Sequence, residues 1–204
     1  MKMREIRAFS LVELLVVVAM MGLLLVLLAP ALQSIGGGTQ LTAAGDLLTS
    51  QLRLARQLAV SRNRGTQLWL ISHRDENGGL QIRSLAVFID GENADQAPTA
   101  LGRPQNLPIP VVLEEDAVLS PLLQDLENLT GAELGVRLPG VGLDYSARMI
   151  RFRPDGRAEV PGDNSRNFLT LCPEHVTIAS GQLPANYSMT QIVRQSGQVR
   201  TYRP

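Results

Sequence analysis

The chain is 204 residues long and carries 19 Lys+Arg against 19 Asp+Glu, so its formal net charge at pH 7 is zero. This balance excludes the strong overall field that would favour nucleic acid or an acidic substrate. About 165 residues follow a long apolar N-terminal segment, enough for one domain with its own core. The single cysteine, Cys172, excludes a disulfide within the chain, and its apolar surroundings predict a buried strand residue.

The first predicted element is a long apolar helix over residues 9–32. Residues 14–32 contain no charged side chain. At about 1.5 Å per residue they span roughly 28 Å, close to the ~30 Å hydrocarbon core of a bilayer. The preceding stub, residues 1–8, carries Lys2, Arg4 and Arg7 against Glu5, so we expect it to stay in the cytoplasm. The sequence therefore predicts a single-pass membrane segment with the later residues on the other side.

A lone carboxylate, Glu13, lies near the start of this apolar segment. A charge within a membrane helix costs at least ~2.5–3.5 kcal/mol and normally indicates a partner. A cut between Ala8 and Phe9 would remove the basic stub and keep the helix, whereas a secretory signal peptide is cut after its apolar core. The new amino group on Phe9 of a neighbouring copy could then pair with Glu13. The alternative is an uncleaved signal anchor in which Glu13 is incidental.

The run FSLVELLV, from Phe9 to Val16, resembles the class III prepilin signal of type IV pilins and type II secretion pseudopilins. Ala8 replaces the glycine that usually precedes it in that family, and Pro30 lies where many members carry a helix-kinking proline. The resemblance implies cleavage by a prepilin peptidase, methylation of Phe9, and assembly with other pilin-like subunits through Glu13. It also implies a bacterial inner-membrane protein with a periplasmic C-terminal domain, which enters a filament after assembly.

The next predicted segment, residues 33–62, combines a glycine break with an amphipathic stalk helix. The three consecutive glycines Gly36–Gly38 favour a local interruption. Helical periodicity resumes from about Gln40 to Arg62. The apolar positions within an arc of roughly 160° are Leu41, Ala44, Leu47, Leu48, Leu52, Leu54, Ala55, Leu58 and Ala59. The positions on the opposite side are Asp46, Thr49, Ser50, Arg53, Arg56 and Gln57.

Residues 63–204 predict a β-rich globular domain. Strands are expected at 67–71, 80–89, 111–113, 149–153 and 168–172, with a hairpin over 189–202 that turns at 195–197. Turns are expected at 77–79 and 154–156, a long loop at 90–110, and a helical turn that Ser120 caps. We expect the strand at 168–172 to pair with the strand at 149–153. The order predicts an α+β fold, with a long N-terminal transmembrane and amphipathic helix packed on an antiparallel β domain.

A second resemblance covers both ends of this domain. The helix end at 54–63, the turn at 152–156 and the tail at 197–200 are similar to GspH/FimT-type minor pseudopilins, although Gln198 replaces the arginine of that family. A nearer likeness is to the protein D family of the Verru_Chthon cassette, a pilin-like set of unassigned function. It rests on the segments 41–45, 168–171, 183–186 and 200–204. These resemblances imply a minor structural subunit of a filament.

Chemistry-bearing patterns are few, so we expect neither an enzyme nor a cofactor. Cys172 and His175 have a ligand-like spacing, but no second pair completes a zinc site. No nucleophile elbow, phosphate loop or dinucleotide fingerprint occurs. A nucleic-acid-binding alternative comes from FimT-type pilins that bind DNA through C-terminal arginines. The residues that would carry it here are Arg194, Arg200, Tyr202 and Arg203. An anchored enzyme is the third and least favoured alternative.

Overall fold

The computed structural model describes residues 11–74, 79–92, 96–174 and 182–204, without the side chains of 25–37. The chain divides into two compact units, Met1–Gly38 and Thr39–Pro204. One helix, α1 (Leu11–Arg62), contributes residues to both. The described part of the first unit is helical throughout, and the second unit contains every strand.

The backbone of α1 is helical through Gly36–Gly38, where the sequence predicts a local break or loosening. Glycine costs about 1 kcal/mol per residue in a helix, but it keeps the N–H and C=O groups of the helical ladder. The boundary between the two compact units nevertheless falls at Gly38. The predicted leader, residues 1–8, lies outside the described residues.

Within the described part of the chain, no helix meets the length and hydropathy expected of a membrane span. The predicted span covers residues 9–32. Of these, Phe9, Ser10 and the side chains of residues 25–32 lie outside the described part of the chain. The transmembrane assignment therefore stays a prediction.

The second unit is built on one antiparallel sheet. Its strands are β1 (Thr66–Arg74), β2 (Leu80–Ile89), β3 (Thr99–Ala100), β4 (Gln105–Asn106), β5 (Val111–Leu113), β6 (Asn128–Thr130), β7 (Ser146–Phe152), β8 (Ala158–Glu159), β9 (Phe168–Pro173), β10 (Ser188–Ile192) and β11 (Val199–Tyr202). Two short helices, α2 (Pro121–Asp125) and α3 (Gly131–Leu134), lie between strands. The strand order is β11-β10-β9-β5-β2-β1-β7-β6, with β3 and β4 paired to β2 and β8 paired to β7. The predicted α+β class with an antiparallel sheet is confirmed.

The predicted final hairpin is present as β10 and β11, but the predicted partner of β9 is wrong. The strand β9 pairs with β5 and β10, whereas β7 pairs with β1, β6 and β8. The two strands are near each other in the sequence, which suggested the β7–β9 pair. In the sheet, β5 and β10 pair with the two edges of β9. The predicted cap is also different, because the Ser120 hydroxyl accepts a hydrogen bond from Thr170 N at 2.9 Å and does not cap α2.

The amphipathic part of α1 supplies one side of the main core. Leu48, Leu52 and Ala55 are fully buried against apolar residues of the sheet. Two positions depart from the predicted arc. Leu54 is 39% exposed, whereas the polar Thr49 is only 7% exposed and shares a hydrogen bond of 3.0 Å with Thr201 of β11. Leu54 lies at the margin of the arc, whereas Thr49 lies on its polar side and is covered where it meets Thr201 of β11.

Two leucines on α1 provide a matched test of this packing. We expect Leu52→Ala to lower the free energy of unfolding by about 2–5 kcal/mol, because it leaves a cavity in the core. Leu54→Ala removes the same atoms from a partly exposed site and should cost well under half as much. Chemical denaturation of the two variants checks the difference, and equal losses would contradict the observed helix orientation.

The second unit has its own core, and this predicts that it folds by itself. A truncated chain that begins at Thr39 should be soluble and give one cooperative thermal transition, since its apolar residues bury each other within 39–204. Addition of a chelator should leave the melting temperature unchanged. Circular dichroism checks both points, and a large loss of stability with chelator would indicate a structural metal.

Strand β8 and the segment that follows β10 meet beside the C-terminal end of α1. The amide of Ala158 in β8 donates a hydrogen bond of 3.1 Å to the carbonyl of Arg194, which follows β10. The turns on either side of this contact hold Gly156 and Gly197, both at positive φ. A Cβ atom on Gly197 would lie only 2.1 Å from the carbonyl oxygen of Gly156, so these turns approach each other at a distance that only glycine permits.

Candidate functional site

The predicted assembly residue Glu13 lies in the first turn of α1. The predicted cleavage and methylation residues, Ala8 and Phe9, lie outside the described residues, as does the side chain of Pro30. The large apolar side chains of residues 11–24 are exposed, from 43% at Val17 to 82% at Leu11. A helix that is apolar on all sides normally has its surface covered by lipid or by other helices.

The four residues of the nucleic-acid alternative have different neighbours in the fold. Arg203 pairs with Asp46 of α1 at 2.9 Å. The Tyr202 hydroxyl donates a hydrogen bond of 3.2 Å to the Gln191 side chain. Arg194 donates to the carbonyl of Gly162 at 3.2 Å. These partners restrain three of the four residues, and nucleic-acid binding by them stays a prediction.

The fourth residue, Arg200, lies in a depression between the C-terminal turns of α1 and the start of β11, which we call the arginine depression. Its volume is about 630 Å³. It brings Arg200 together with Arg53 and Arg56 of α1. The residues that line it are Arg53, Arg56, Gln57, Val60, Ser61, Gly197, Gln198, Val199 and Arg200.

Two features position Arg53 and Arg56 in this depression. Arg53 and Arg56 are three residues apart, so they lie on the same face of α1. The Nε of Arg56 donates hydrogen bonds to the carbonyl oxygens of Gly156 at 3.2 Å and Ser196 at 2.9 Å. These two carbonyls belong to the glycine turns described above, so Arg56 is anchored by the contact between these two turns.

The charged residues that line the arginine depression are all positive. None of the described residues that line it carries a carboxylate, and neither Arg53 nor Arg200 forms an ion pair with a described residue. The arginines near the opposite flank of the hairpin turn differ. Arg153 lies 3.8 Å from Glu159, and Arg157 lies 3.6 Å from Asp155. Positive charge is therefore largely balanced on that flank and unbalanced in the depression.

Sequence reasoning singled out Arg200 but missed Arg53 and Arg56 as possible site residues. It placed them only on the polar side of the stalk helix, where most charged residues are simply solvated. The spacing of Arg53 and Arg56 indicates a shared helix face, but their proximity to the turn before β11 depends on a contact across 140 residues.

Cys172 is buried as predicted, and its Sγ lies 3.4 Å from an oxygen of Glu114. Its predicted companion His175 lies outside the described residues. Among the residues that the structure describes, no group of three metal-ligating side chains occurs. Burial, with a further contribution from the Glu114 carboxylate, raises the pKa of the Cys172 thiol to about 12. A thiol that stays protonated at neutral pH is a poor nucleophile and metal ligand.

This raised pKa predicts how stability depends on alkaline pH. The unfolded chain loses the Cys172 proton near the ordinary thiol pKa of 9.0, whereas the folded chain keeps it up to about 12. Folding stability should therefore fall as the pH rises from about 9 to 12. Burial also raises the pKa of Tyr145, which acts in the same direction. Urea denaturation across this range should show a shallower decline for Cys172→Ala; an unchanged slope would contradict the assignment.

No family model matches the chain, and no curated protein matches it. Three solved structures are similar to it. The type IV minor pilin FimU of Pseudomonas aeruginosa is 14% identical with a TM-score of 0.42, and the alignment covers 81% of this chain and 93% of FimU. The minor pseudopilin EpsH of the type 2 secretion system of Vibrio cholerae is 13% identical with a TM-score of 0.43, over 81% of this chain and 98% of EpsH.

Proposed function

We propose that the chain is a minor pilin- or pseudopilin-like structural subunit of a type IV pilus or type II secretion-type filament. A prepilin peptidase removes residues 1–8, and the subunit waits in the inner membrane with residues 9–32 in the bilayer. It then enters the filament through its N-terminal helix. The domain over residues 63–204 stays on the periplasmic side and forms the outer part of the assembled subunit.

The single observation that carries this proposal is the N-terminal half of α1. Its first turn contains Glu13, and the large apolar side chains from Leu11 to Leu24 are exposed on all sides. This surface is too apolar to remain in water, and its chemistry suits lipid before assembly and neighbouring helices after it. The prepilin-like run from Phe9 to Val16 supports the same reading of the helix as an assembly element.

The second unit supports a structural role for the rest of the chain. Its amphipathic helix is buried against a single antiparallel sheet, so this unit has a continuous core of its own. The Cys172 thiol, the only one in the chain, is buried and remains protonated at neutral pH. These features fit a subunit whose activity is association with other subunits.

A fractionation experiment tests the proposed function. The full chain, tagged at its C-terminus, is expressed with a prepilin peptidase and with the pilin-like subunits and assembly ATPase of its own cell. We expect it to co-purify with those subunits from membranes and to appear in sheared filaments. Recovery as a soluble protein with no pilin-like subunit bound would contradict the proposal.

A further inference from the structure

We propose that the arginine depression binds a carboxylate-rich segment of the protein subunit adjacent to this chain in the filament. The inference rests on the proposed function and names the chemistry of one contact within it. It assigns Arg53, Arg56 and Arg200 as the residues that recognise the acidic segment.

The chemistry of the three side chains selects a planar anion. A guanidinium group donates parallel hydrogen bonds to both oxygens of a carboxylate, and such charge-assisted pairs are stronger than neutral ones. The Nε of Arg56 is occupied by the Gly156 and Ser196 carbonyls, which fixes the group and leaves its terminal nitrogens for a ligand. A positively charged group that is already held in place loses little side-chain entropy on binding.

The ligand must come from outside the described chain. Carboxylates lie within 4 Å of Arg153 and Arg157 near the other flank of the hairpin, but no described carboxylate pairs with Arg53 or Arg200. Their charge is therefore available to a partner. A contact between two different surfaces of successive subunits is the kind that extends into an open helical array.

The lining favours a peptide over a nucleic acid. Val60 and Val199 give the depression an apolar wall, and Gln57 and Gln198 supply amide groups that can hydrogen-bond a peptide backbone. None of the described lining residues is aromatic, whereas proteins that bind single strands stack bases on aromatic rings along a basic groove.

Binding of a labelled hexaglutamate peptide to the purified full chain in detergent tests the site directly. We expect saturable binding at low salt that weakens as salt is raised. The double variant Arg53→Gln/Arg200→Gln should weaken it at least tenfold. The matched control Arg153→Gln/Arg157→Gln removes two arginines from the opposite flank and should change it less than twofold. All four side chains are exposed, so both variants should melt within a few degrees of the wild type.

Three results would overturn the proposal in this assay. The first is the absence of saturable peptide binding, and the second is an equal loss in the two double variants. The third is tighter binding of a twelve-nucleotide thymidine oligomer than of the peptide, lost in the Arg53→Gln/Arg200→Gln variant, which would make the depression a nucleic-acid site.

A cellular experiment separates the proposal from the proposed function. In cells with the other pilin-like subunits, Arg53→Glu/Arg200→Glu should be processed at Phe9 like the wild type but recovered with those subunits at least fivefold less. Arg153→Glu/Arg157→Glu should be recovered normally. Normal processing with wild-type recovery of the first variant would overturn the contact and leave the proposed function intact. Failure of the wild type to co-purify would overturn both.

Discussion

We expect the mature chain to begin at Phe9 and to carry a methyl group on its α-amino nitrogen. The basic stub meets the apolar helix at the Ala8–Phe9 junction, and Ala8 is small enough for a peptidase site that normally accepts glycine. Cleavage there removes three of the charges that hold the N-terminus in the cytoplasm and leaves the apolar helix in place. This is the largest covalent change predicted for the chain.

Mass spectrometry of the protein from cells with an active prepilin peptidase measures the N-terminus directly. Ala8→Lys places a long charged side chain at the junction and should block cleavage, whereas Ala8→Gly should be cut at least as well as the wild type. A wild-type chain that still carries residues 1–8 under these conditions would exclude the pilin interpretation and favour an uncleaved signal anchor.

Glu13→Ala should leave cleavage largely intact and strongly reduce assembly. Glu13 lies beyond the junction, so the peptidase still meets Ala8 and Phe9. In the filament the carboxylate would meet the Phe9 amine of a neighbour in a medium of low dielectric. Removing one partner there leaves a charge unpaired, which costs about 3–5 kcal/mol. The membrane-bound monomer loses less, because Glu13 lies near the start of the helix, where some water remains. The substitution therefore destabilises the filament more than the monomer, and this weakens assembly.

Recovery with the other pilin-like subunits measures this effect. A loss of about 3–5 kcal/mol corresponds to a decrease of roughly 10²–10⁴-fold in the association constant. Glu13→Asp keeps the charge on a shorter side chain and should retain part of the assembly. Leu14→Ala, which removes apolar atoms next to the carboxylate, serves as a control for helix packing. Wild-type recovery of Glu13→Ala would mean that Glu13 is not an assembly contact.

The elements of the second unit were largely predictable because they depend on local pattern. Strands β2 and β5 have the predicted bounds, β1 extends beyond its predicted bounds at both ends, β7 begins three residues before its predicted start and ends one residue before its predicted end, and the last hairpin turns where expected. Alternation of apolar side chains and the positions of Gly and Pro are properties of a few consecutive residues. The two-residue strands β3 and β4 lay in a segment predicted as loop, since pairs of residues carry no periodicity.

Strand pairing was less predictable, because it depends on the whole sheet. β9 has an apolar pattern that would suit many partners, and its pairing with β5 and β10 is decided by which strands occupy the neighbouring positions. The same holds for Ser120, a residue type that commonly caps helices but that here binds the backbone of β9 across 50 residues.

The sequence by itself determined the division into an apolar N-terminal helix and an α+β domain, the amphipathic face of α1, and the burial of Cys172. Those features follow from composition and periodicity over short stretches. Only the tertiary structure decided that Thr49 is buried, that Leu54 is not, and that Arg53, Arg56 and Arg200 share one depression. The reason is that the burial of Thr49 and the shared depression depend on where β11 and the two glycine turns lie against α1. That position results from long-range contacts whose sum, and not any single local preference, selects the arrangement.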